Sequence, residues 1–473
     1  MTDDISAQQS NTTEPNQLFK EHNANDNRKM RRIIAEDPEW NLMTVPLLSE
    51  LCTKAIVDNF RTHPRHDELP LKYRKKVLQA IPTNLPLSIT SSLVNYQDYW
   101  ERCCRAKWRV CDVTKFGNDW KRMYFERDLK FLIENFVPNK SDMTKINEIL
   151  RLGTDYIIKL DIQQLLPPVE LEKKEFNLDN EEEEEDDRDE VKEKYECDHF
   201  DFNQVIPFLH KLEEINLVYG VRDCGMNFEW QLFDFTKKDC QSLSKCIAQC
   251  SNIKSLHLNW SKIDDDKIRL FISQILNHPS LIELDLSHNL ISDRGCRAIG
   301  KLLNGHSKLE SLNLCNNQIR AQGGQAIAHA LTKNNTLKFL DFRLNRLGDD
   351  GGQALAKALC KNSTLVRLNL ASNNLSEPTA ILIGSVIPQN KTLKYLDLSS
   401  NRLGPDGGRQ IQEAIQENQS LLELDLRLTE TGQESEYVIN KVLKKNFENE
   451  RLIRIENENL KNKALNRTYS HIF

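Results

Sequence analysis

An internal repeat of 28 residues constrains this chain more than any other feature. The repeated pattern is Leu-x-x-Leu-x-Leu-x-x-Asn-x-Leu/Ile, and its regular copies begin at Leu281, Leu309, Leu337, Leu365 and Leu393. Degenerate copies begin at Ile253 and Leu421, so six successive steps of 28 residues occur without a gap. A fixed period of this length is typical of solenoids, in which each unit packs against its neighbours.

Each unit predicts one strand and one helix. The Leu-x-x-Leu-x-Leu segment predicts a short strand whose alternate side chains face a shared core. The Asn is expected to hydrogen-bond backbone groups that the following bend would otherwise bury unpaired. The second half carries apolar residues at spacings of three and four, as in Ile299, Leu302 and Leu303, which predicts a helix. The units resemble leucine-rich repeats of the ribonuclease-inhibitor type, so the predicted fold class is an α/β solenoid with a curved parallel sheet and outer helices.

The register of the repeat extends the array toward the N-terminus. Leu243 and Ile247 match the helix column, and the strand of that unit is predicted at Leu212, Ile215 and Leu217. That strand starts 41 residues before Ile253, which predicts an insertion at 218–235. A further strand is predicted at Ile157, Leu160 and Ile162, with its helix at Phe202 and Ile206, and an acidic insertion at 163–198 between them.

The chain is therefore expected to have four parts. Residues 1–27 are polar and aperiodic, which predicts a disordered tail. Residues 28–150 show helical patterns broken by proline and predict a small all-α domain with its own core. The leucine-rich repeat domain is predicted at 151–445, and a C-terminal helix or tail at 446–473.

The formal net charge of −6 is concentrated in one segment. Residues 181–190 hold nine carboxylates and one arginine, a net −8, so the rest of the chain sums to −6 − (−8) = +2. This near-neutral balance argues against a nucleic-acid partner. The sequence has no run of about 18 apolar residues, so we predict no membrane-spanning helix. Because the polar N-terminal segment does not resemble a secretory signal, we expect a reducing cytoplasmic setting. The acidic run is expected to be a solvated loop that attracts basic surfaces.

No motif predicts an enzyme. The sequence has no phosphate loop, nucleophile elbow, zinc-protease motif or dinucleotide fingerprint. The glycine pairs at 351–352 and 407–408 are interpreted as turn residues. Cys103, Cys104 and Cys111 lack partners at metal-ligand spacing, and Cys240, Cys246 and Cys250 share one predicted helix. We expect both clusters to be buried as small apolar groups and the cysteines to be reduced. We predict no catalytic residue, cofactor, metal or small-molecule substrate.

Two surfaces are candidates for binding proteins. Side chains between the strand leucines should project from the concave face, and arginine and aromatic residues are favoured at interfaces. The candidate partner-binding residues there are Phe339, Asp341, Arg343, Arg367, Tyr395, Asp397 and Arg427. The second candidate is a rim loop within 218–235, where an insertion carries Met226, Phe228 and Trp230. A solvated polar face and packing of the loop onto the solenoid are the alternative interpretations.

Four segments carry a more specific resemblance. They are RRIIAEDPEW at 31–40, YWERCCRAKW at 99–108, the inserted loop LVYGVRDCGMNFEWQLFDFTKKDC, and ESEY at 434–437. With these, residues 31–440 resemble a family of leucine-rich repeat subunits of the dynein regulatory complex. The resemblance implies a non-enzymatic structural subunit in the axoneme of motile cilia and sperm flagella. The implied partners are other subunits of that complex and axonemal proteins, and the implied role is linking doublet microtubules and regulating dynein-driven motility.

Two other classes of function remain open from the residues. The segments 49–60, 69–82 and 99–108 are similar to F-box and elongin A-like modules, which joined to repeats would suggest a ubiquitin-ligase substrate receptor. The 28-residue units also resemble the Ran GTPase-activating protein, which would suggest a GTPase activator. The acidic run of that family follows the repeats, whereas here it precedes them.

Overall fold

The structure is a computed structural model that describes residues 31–33, 43–45, 47–64, 66–167, 198–224, 226, 234–304 and 307–469. Only the backbone is described at 31–33, 43–45, 304 and 460–469. The predicted tail 1–27 and the acidic run 181–190 lie outside these residues. The chain divides into two compact units, residues 1–121 and residues 122–473.

The first unit combines one short strand pair with small helices. Strands β1 (Arg31–Ile33) and β2 (Met43–Val45) pair antiparallel, where helical structure was expected. The helices are α1 (Leu48–Asp58), α2 (Leu71–Ala80), α3 (Leu87–Leu93) and α4 (Gln97–Lys107).

A core forms around Trp100, as predicted for this part of the chain. Trp100 is fully buried, and its Nε1 donates a hydrogen bond to Val94 O at 2.7 Å. The buried Lys121 Nζ donates to Ser91 O at 2.6 Å, which satisfies the charged group inside this unit. Helix α1 differs from the rest because it buries no side chain.

The second unit begins earlier than the predicted boundary at 150/151. Helix α5 (Trp120–Glu134) carries two carboxylates to the first strand of the array. Glu126 Oε1 accepts hydrogen bonds from the backbone N–H groups of Ile158 and Lys159, at 2.8 and 2.9 Å. Glu134 Oε1 accepts one from Gln163 N at 2.7 Å. The residues from Arg122 onward therefore form part of the N-terminal end of the solenoid.

A parallel sheet runs through the second unit in strict chain order. Its strands are β3 (Lys159–Ile162), β4 (Glu214–Leu217), β5 (Ser255–His257), β6 (Glu283–Asp285), β7 (Ser311–Asn313), β8 (Phe339–Asp341), β9 (Arg367–Asn369), β10 (Tyr395–Asp397) and β11 (Glu423–Asp425). Residues 28 apart are direct partners from β5 to β11, as Leu284 and Leu312 show. Leu160 pairs with Ile215, 55 residues later, so the predicted first strand is confirmed.

The helices that follow the strands form the second layer. After β4 to β11 these are α7 (Lys237–Gln249), α8 (Asp265–Ile275), α9 (Asp293–Asn304), α10 (Ala321–Leu331), α11 (Gly348–Leu359), α12 (Glu377–Val386), α13 (Gly404–Ile415) and α14 (Gln433–Tyr469), while α6 (Thr144–Gly153) precedes β3. The predicted helix column is confirmed, since Ile299, Leu302 and Leu303 lie in α9 and are buried. The leucine-rich repeat solenoid is thus the fold of this unit.

The prediction of an α-helix at Phe202 and Ile206 was wrong. Phe202 and Ile206 lie in two short 3-10 helices, Phe202–Gln204 and Ile206–Phe208, and not in an α-helix. Pro207 explains this, because it lacks an N–H and disfavours helical backbone at the residue before it.

The paired glycines are helix-packing residues, not turn residues. A Cβ on Gly352 would lie 2.7 Å from Leu375 Cδ2, and one on Gly408 would collide with the backbone oxygen of Thr431. The missing side chains thus let adjacent repeats approach closely. The turn role belongs to Gly348 and Gly404, with φ of +57° and +69°.

Helix α14 crosses the predicted boundary at 445/446 without a break. Ile439, Leu443 and Asn446 are buried against the last repeat. From residue 451 to 459 every side chain is exposed. The first half of α14 therefore takes the place of a repeat helix, while the second half makes no such contact among the described residues.

Candidate interaction surfaces

The strand face carries one cluster of aromatic and basic side chains. We call the solvent-facing side chains of the parallel sheet the strand face; it is the surface predicted to be concave. Phe339, Arg367 and Tyr395 are direct lateral partners on β8, β9 and β10. The Arg367 guanidinium carbon lies 4.3 Å from the centre of the Tyr395 ring, a cation–π contact. Phe339 keeps 40 % of its surface exposed, so the cluster presents apolar area to solvent.

The acidic candidates in the next row have a local structural role. From β6 to β11 the side-chain oxygen of the Asp or Asn that ends the strand accepts a hydrogen bond from the N–H two residues later. The pairs are Asp285 with Ser287, Asn313 with Cys315, Asp341 with Arg343, Asn369 with Ala371, Asp397 with Ser399 and Asp425 with Arg427, at 2.8 to 3.0 Å. This Asx turn explains why Asp or Asn recurs at this position. Burial raises the pKa of Asp341, against the opposing effect of the bond from Arg343 N.

The remaining arginine candidates differ in how freely they project. Arg343 is exposed, and its Nε donates to Cys315 Sγ at 3.4 Å. Arg427 folds back onto its own repeat, where Nε lies 2.9 Å from both carboxylate oxygens of Asp425. Those bonds lower the pKa of Asp425. Arg367 thus lies within the aromatic cluster, Arg343 contacts the preceding repeat, and Arg427 is paired at the end of the sheet.

The rim loop is described only in part. Met226 is fully exposed. Phe228 and Trp230 lie outside the described residues. The base of the loop is anchored at one side, since Arg222 Nη2 donates to Gln163 Oε1 at 2.7 Å.

A column of left-handed residues was missed in the sequence. Seven residues spaced 28 apart have φ between +52° and +61°, although none is glycine: Trp260, His288, Asn316, Leu344, Ser372, Ser400 and Leu428. Five of them directly precede the repeat asparagines Asn289, Asn317, Asn345, Asn373 and Asn401. Bulky side chains seldom adopt this conformation. Trp260 is 59 % exposed and stacks on His288 with ring centres 4.0 Å apart. Their 28-residue spacing could have pointed to a shared backbone conformation. The residue types at these positions differ too much for the sequence pattern to show it.

A buried His–Asp pair fastens the bases of both insertions. His199 Nδ1 lies 2.8 Å from Asp239 Oδ2, and both side chains are almost fully buried. The backbone N–H groups of Asp198 and His199 donate to Asp239 Oδ1. Asp239 also completes a capping box with Thr236 at the start of α7. Burial raises the pKa of Asp239, but the bonds from His199 outweigh it and the pKa lies below its usual value.

No metal centre forms within the described ranges, where no group of three or more His, Cys, Asp or Glu side chains is placed to hold an ion. Among those same residues, no helix combines the length and apolar character needed to cross a membrane. The described cysteines are free thiols.

Comparisons with known proteins agree with the repeat architecture. The family model described as "Leucine Rich repeat" matches residues 277–300, 305–328, 333–356, 361–378 and 389–411. Curated proteins named "Dynein regulatory complex subunit 5" are homologous to the chain. The mouse protein is 47 % identical over 274 residues, which is 58 % of this chain and 54 % of the relative. The human protein is 45 % identical over 275 residues, again 58 % and 54 %.

A more distant relative of the same name comes from Chlamydomonas reinhardtii, at 31 % identity over 49 % of this chain and 51 % of that protein. The chain spans about half the length of the curated relatives it matches. Among solved structures, it is similar to leiomodin-1 actin-binding site 2, at TM-score 0.32 and 22 % identity over 36 % of this chain and 96 % of the other. It is also similar to the tropomodulin C-terminal domain of Caenorhabditis elegans, at TM-score 0.29 and 17 % identity over 35 % and 98 %.

Proposed function

We propose that this chain is a non-enzymatic structural subunit of the nexin–dynein regulatory complex in the axoneme of motile cilia and flagella. The observation that carries the proposal is the 47 % identity over 274 residues to the mouse protein named for that complex. In this role the chain helps to link doublet microtubules and to regulate dynein-driven motility. Its partners are other subunits of the complex and axonemal proteins.

The solenoid suits a scaffold of this kind. Parallel strands lie about 4.8 Å apart, so the described sheet from β3 to β11 is roughly 40 Å wide. Each repeat is locked to the next by backbone ladders and buried asparagines, which makes the surface stiff. A stiff, wide surface can hold several proteins at fixed distances without any catalytic group.

Within this role, we assign the cluster of Phe339, Arg343, Arg367 and Tyr395 to partner contact. Aromatic and arginine side chains contribute most of the binding energy in many interfaces. The cluster combines an exposed ring on β8 with the Arg367 guanidinium on β9, and Arg343 follows the end of β8 by two residues. The contribution of Asp341, Asp397 and Arg427 is then mainly to fix the backbone and charge around it. Met226 and its loop are a second proposed contact.

The direct test is localisation of a tagged full-length copy in cells with motile cilia. We expect the copy to stay with detergent-extracted axonemes, and proximity labelling to recover subunits of the dynein regulatory complex. Absence from axonemes would overturn the proposal. Stoichiometric recovery of ubiquitin-ligase adaptors would favour a substrate receptor instead, and faster single-turnover GTP hydrolysis would favour a GTPase activator.

A further inference from the structure

Each repeat of the array offers backbone N–H groups to the repeat that follows it. In the first set of hydrogen bonds, the backbone N–H of one residue donates to the carbonyl oxygen of the residue 27 positions later. The pairs are Leu258 with Asp285, Leu286 with Asn313, Leu314 with Asp341, Phe342 with Asn369, Leu370 with Asp397 and Leu398 with Asp425. In the second set, the N–H donors and carbonyl acceptors are Trp260 with Ser287, His288 with Cys315, Asn316 with Arg343, Leu344 with Ala371, Ser372 with Ser399 and Ser400 with Arg427. Two donors per repeat therefore need the strand segment of a following repeat.

The last repeat has no such neighbour among the described residues. Leu426 and Leu428 occupy the two donor positions, 28 residues after Leu398 and Ser400. Within the described part of the chain, neither N–H has a hydrogen-bond acceptor. The side chain of Leu428 is 82 % exposed. Strand β11 thus presents an open edge, which is a template for pairing with another strand.

Helix α14 closes the helix layer but leaves space beside this edge. A cleft of about 400 Å³ lies between β11 and α14. One wall consists of residues 423–427, and the other of Glu436, Ile439 and Asn440. The buried Leu424, Leu426 and Ile439 give it an apolar floor. An extended segment with one apolar side chain pointing inward fits this arrangement.

The opposite edge of the sheet is closed, which argues against stacking of a second copy head to tail. At β3 the outward N–H groups of Ile158 and Lys159 donate to Glu126, and that of Gln163 donates to Glu134. A second copy therefore has no free β3 edge to place against β11. An antiparallel pairing of two β11 strands centred on Leu424 would set Glu423 against Asp425 twice, and like charges directly opposite are destabilising.

The charges along the edge favour a basic segment. Glu423 is exposed and has no ion pair among the described residues, and Glu436 adds a carboxylate on the other wall. The only guanidinium of the cleft lining, on Arg427, is held by Asp425. Elsewhere in the sheet a lysine on the neighbouring strand pairs with a carboxylate at this position. Lys159 on β3 forms an ion pair with Glu214, its lateral partner on β4.

We propose that the outer edge of β11 binds an extended segment of a partner protein as an additional parallel strand. A lysine or arginine of the segment lies opposite Glu423, and the next side chain enters the cleft over Leu424 and Ile439. The carbonyl groups of the segment accept from Leu426 N and Leu428 N. This is recognition by strand addition, in which backbone bonds supply affinity and alternate side chains supply specificity.

The probe for a test is a labelled nine-residue peptide, Ser-Leu-Leu-Lys-Leu-Asn-Leu-Arg-Leu. It repeats residues 420–428 with lysine in place of Glu423 and asparagine in place of Asp425. Binding to the full chain is measured by fluorescence anisotropy, and amide exchange at Leu426 and Leu428 by mass spectrometry. We expect saturable binding and at least tenfold slower exchange at both amides. A peptide N-methylated along its pairing edge is expected to bind at least tenfold more weakly.

Two matched pairs of variants localise the binding. Asn440→Trp fills the cleft, whereas Asn449→Trp lies nine residues further, on the opposite face of the same helix. Glu423→Lys reverses the charge at the edge, and Glu417→Lys makes the same change on an exposed residue that does not line the cleft. We expect Asn440→Trp and Glu423→Lys to weaken binding at least tenfold and both controls to change it less than twofold. Circular dichroism checks that all four variants stay folded.

Three results would overturn the proposal. The first is equal binding of the N-methylated peptide. The second is an equal loss of peptide binding in a variant and in its matched control. The third is a concentration-dependent dimer of the full chain that Asn440→Trp abolishes, because the occupant of the edge would then be a second copy.

Discussion

Asn345 shows how one side chain holds two adjacent repeats together. Its Nδ2 donates to Leu314 O and Phe342 O, both at 2.9 Å, and its Oδ1 accepts from Ile319 N at 3.1 Å. The amide group thus bonds backbone groups of its own repeat and of the preceding one. The sequence predicted this role for Asn317, Asn345 and Asn373, and the hydrogen bonds confirm it.

Replacing Asn345 with alanine should destabilise the array. The substitution leaves buried backbone groups without partners, and we expect a loss of roughly 1–3 kcal/mol in the free energy of unfolding. Urea denaturation followed by circular dichroism measures it. Asn335→Ala is the control, because Asn335 is exposed and ten residues away. Equal unfolding midpoints for both variants would contradict the assigned role.

Asp239 is a second residue whose bonds decide local stability. It accepts from the backbone N–H of Asp198, His199 and Thr236 and pairs with the His199 ring. We expect Asp239→Asn to lose about 1–3 kcal/mol at pH 7, because an amide nitrogen cannot accept these bonds. Thermal unfolding of the variant beside the original chain measures the loss.

The pH dependence of that loss follows from the pKa of Asp239. The pKa is lowered in the folded chain, so the carboxylate stabilises the fold fully above its unfolded pKa of about 3.9. The stabilisation is lost as the pH falls through the lower folded value. The difference between the original chain and Asp239→Asn should therefore shrink below about pH 4. A constant difference down to pH 2.5 would contradict this assignment.

At the scale of elements, a helix end and a strand edge must each find partners outside themselves. First-turn aspartates meet this need between repeats: Asp293 Oδ1 accepts from Arg320 N and Gly323 N at the start of the next helix. Asp265 does the same for Ser292 and Gly295. A second asparagine column, at Asn334, Asn362, Asn390 and Asn418, bonds the last carbonyl groups of the preceding helices.

The sequence predicted the elements that repeat and missed those that do not. Periodic leucines determined the strands and helices from Ile253 onward, because each position repeats one environment. The close packing of Gly352 could not be foreseen, since it depends on the distance between helices. The closure of β3 by Glu126 and Glu134 depends on a helix with no counterpart in the repeat. Because this helix contacts β3, the residues from Arg122 onward belong with the solenoid and not with the predicted helical domain.

Glu126 provides the element-scale prediction. Burial raises its pKa, against the bonds from Arg122 and the β3 backbone, so the folded chain holds the proton more tightly than the unfolded chain. Its contribution to stability is therefore largest at low pH and falls as the pH rises through the folded pKa. We expect Glu126→Gln to keep the accepting oxygen and to leave stability at pH 7 unchanged or higher. Glu126→Ala leaves two edge N–H groups unpaired and should cost about 2–3 kcal/mol.

Chemical denaturation of the two Glu126 variants at pH 7 distinguishes the roles. We expect the free energy of unfolding of Glu126→Gln to equal or exceed that of the original chain, and that of Glu126→Ala to be lower. Equal losses for both would show that the negative charge matters, and that closure of the strand edge does not.

At the scale of the whole molecule, the two layers of the solenoid are chemically different. The strand face carries the Asx turns and the aromatic–arginine cluster, while the helix layer carries exposed ion pairs such as Arg294 with Asp266. The strand face also ends at the open edge of β11. Binding to the strand face and strand addition at β11 are therefore separable, since β8 to β10 carry the first and β11 the second.

The double substitution Phe339→Ala with Arg367→Ala tests the strand face in the assembled complex. Both side chains are exposed, so we expect the unfolding midpoint of the full chain to change little. Loss of an aromatic and an arginine contact should weaken partner binding by at least tenfold. Quantitative mass spectrometry of purified axonemes would then show reduced incorporation of the variant. The matched control is Ile381→Ala with Arg409→Ala, two exposed residues on α12 and α13 that remove similar side chains from the helix layer. Normal incorporation of the first variant would place the main contact on another surface, whereas equal reduction by both would indicate a general loss of stability.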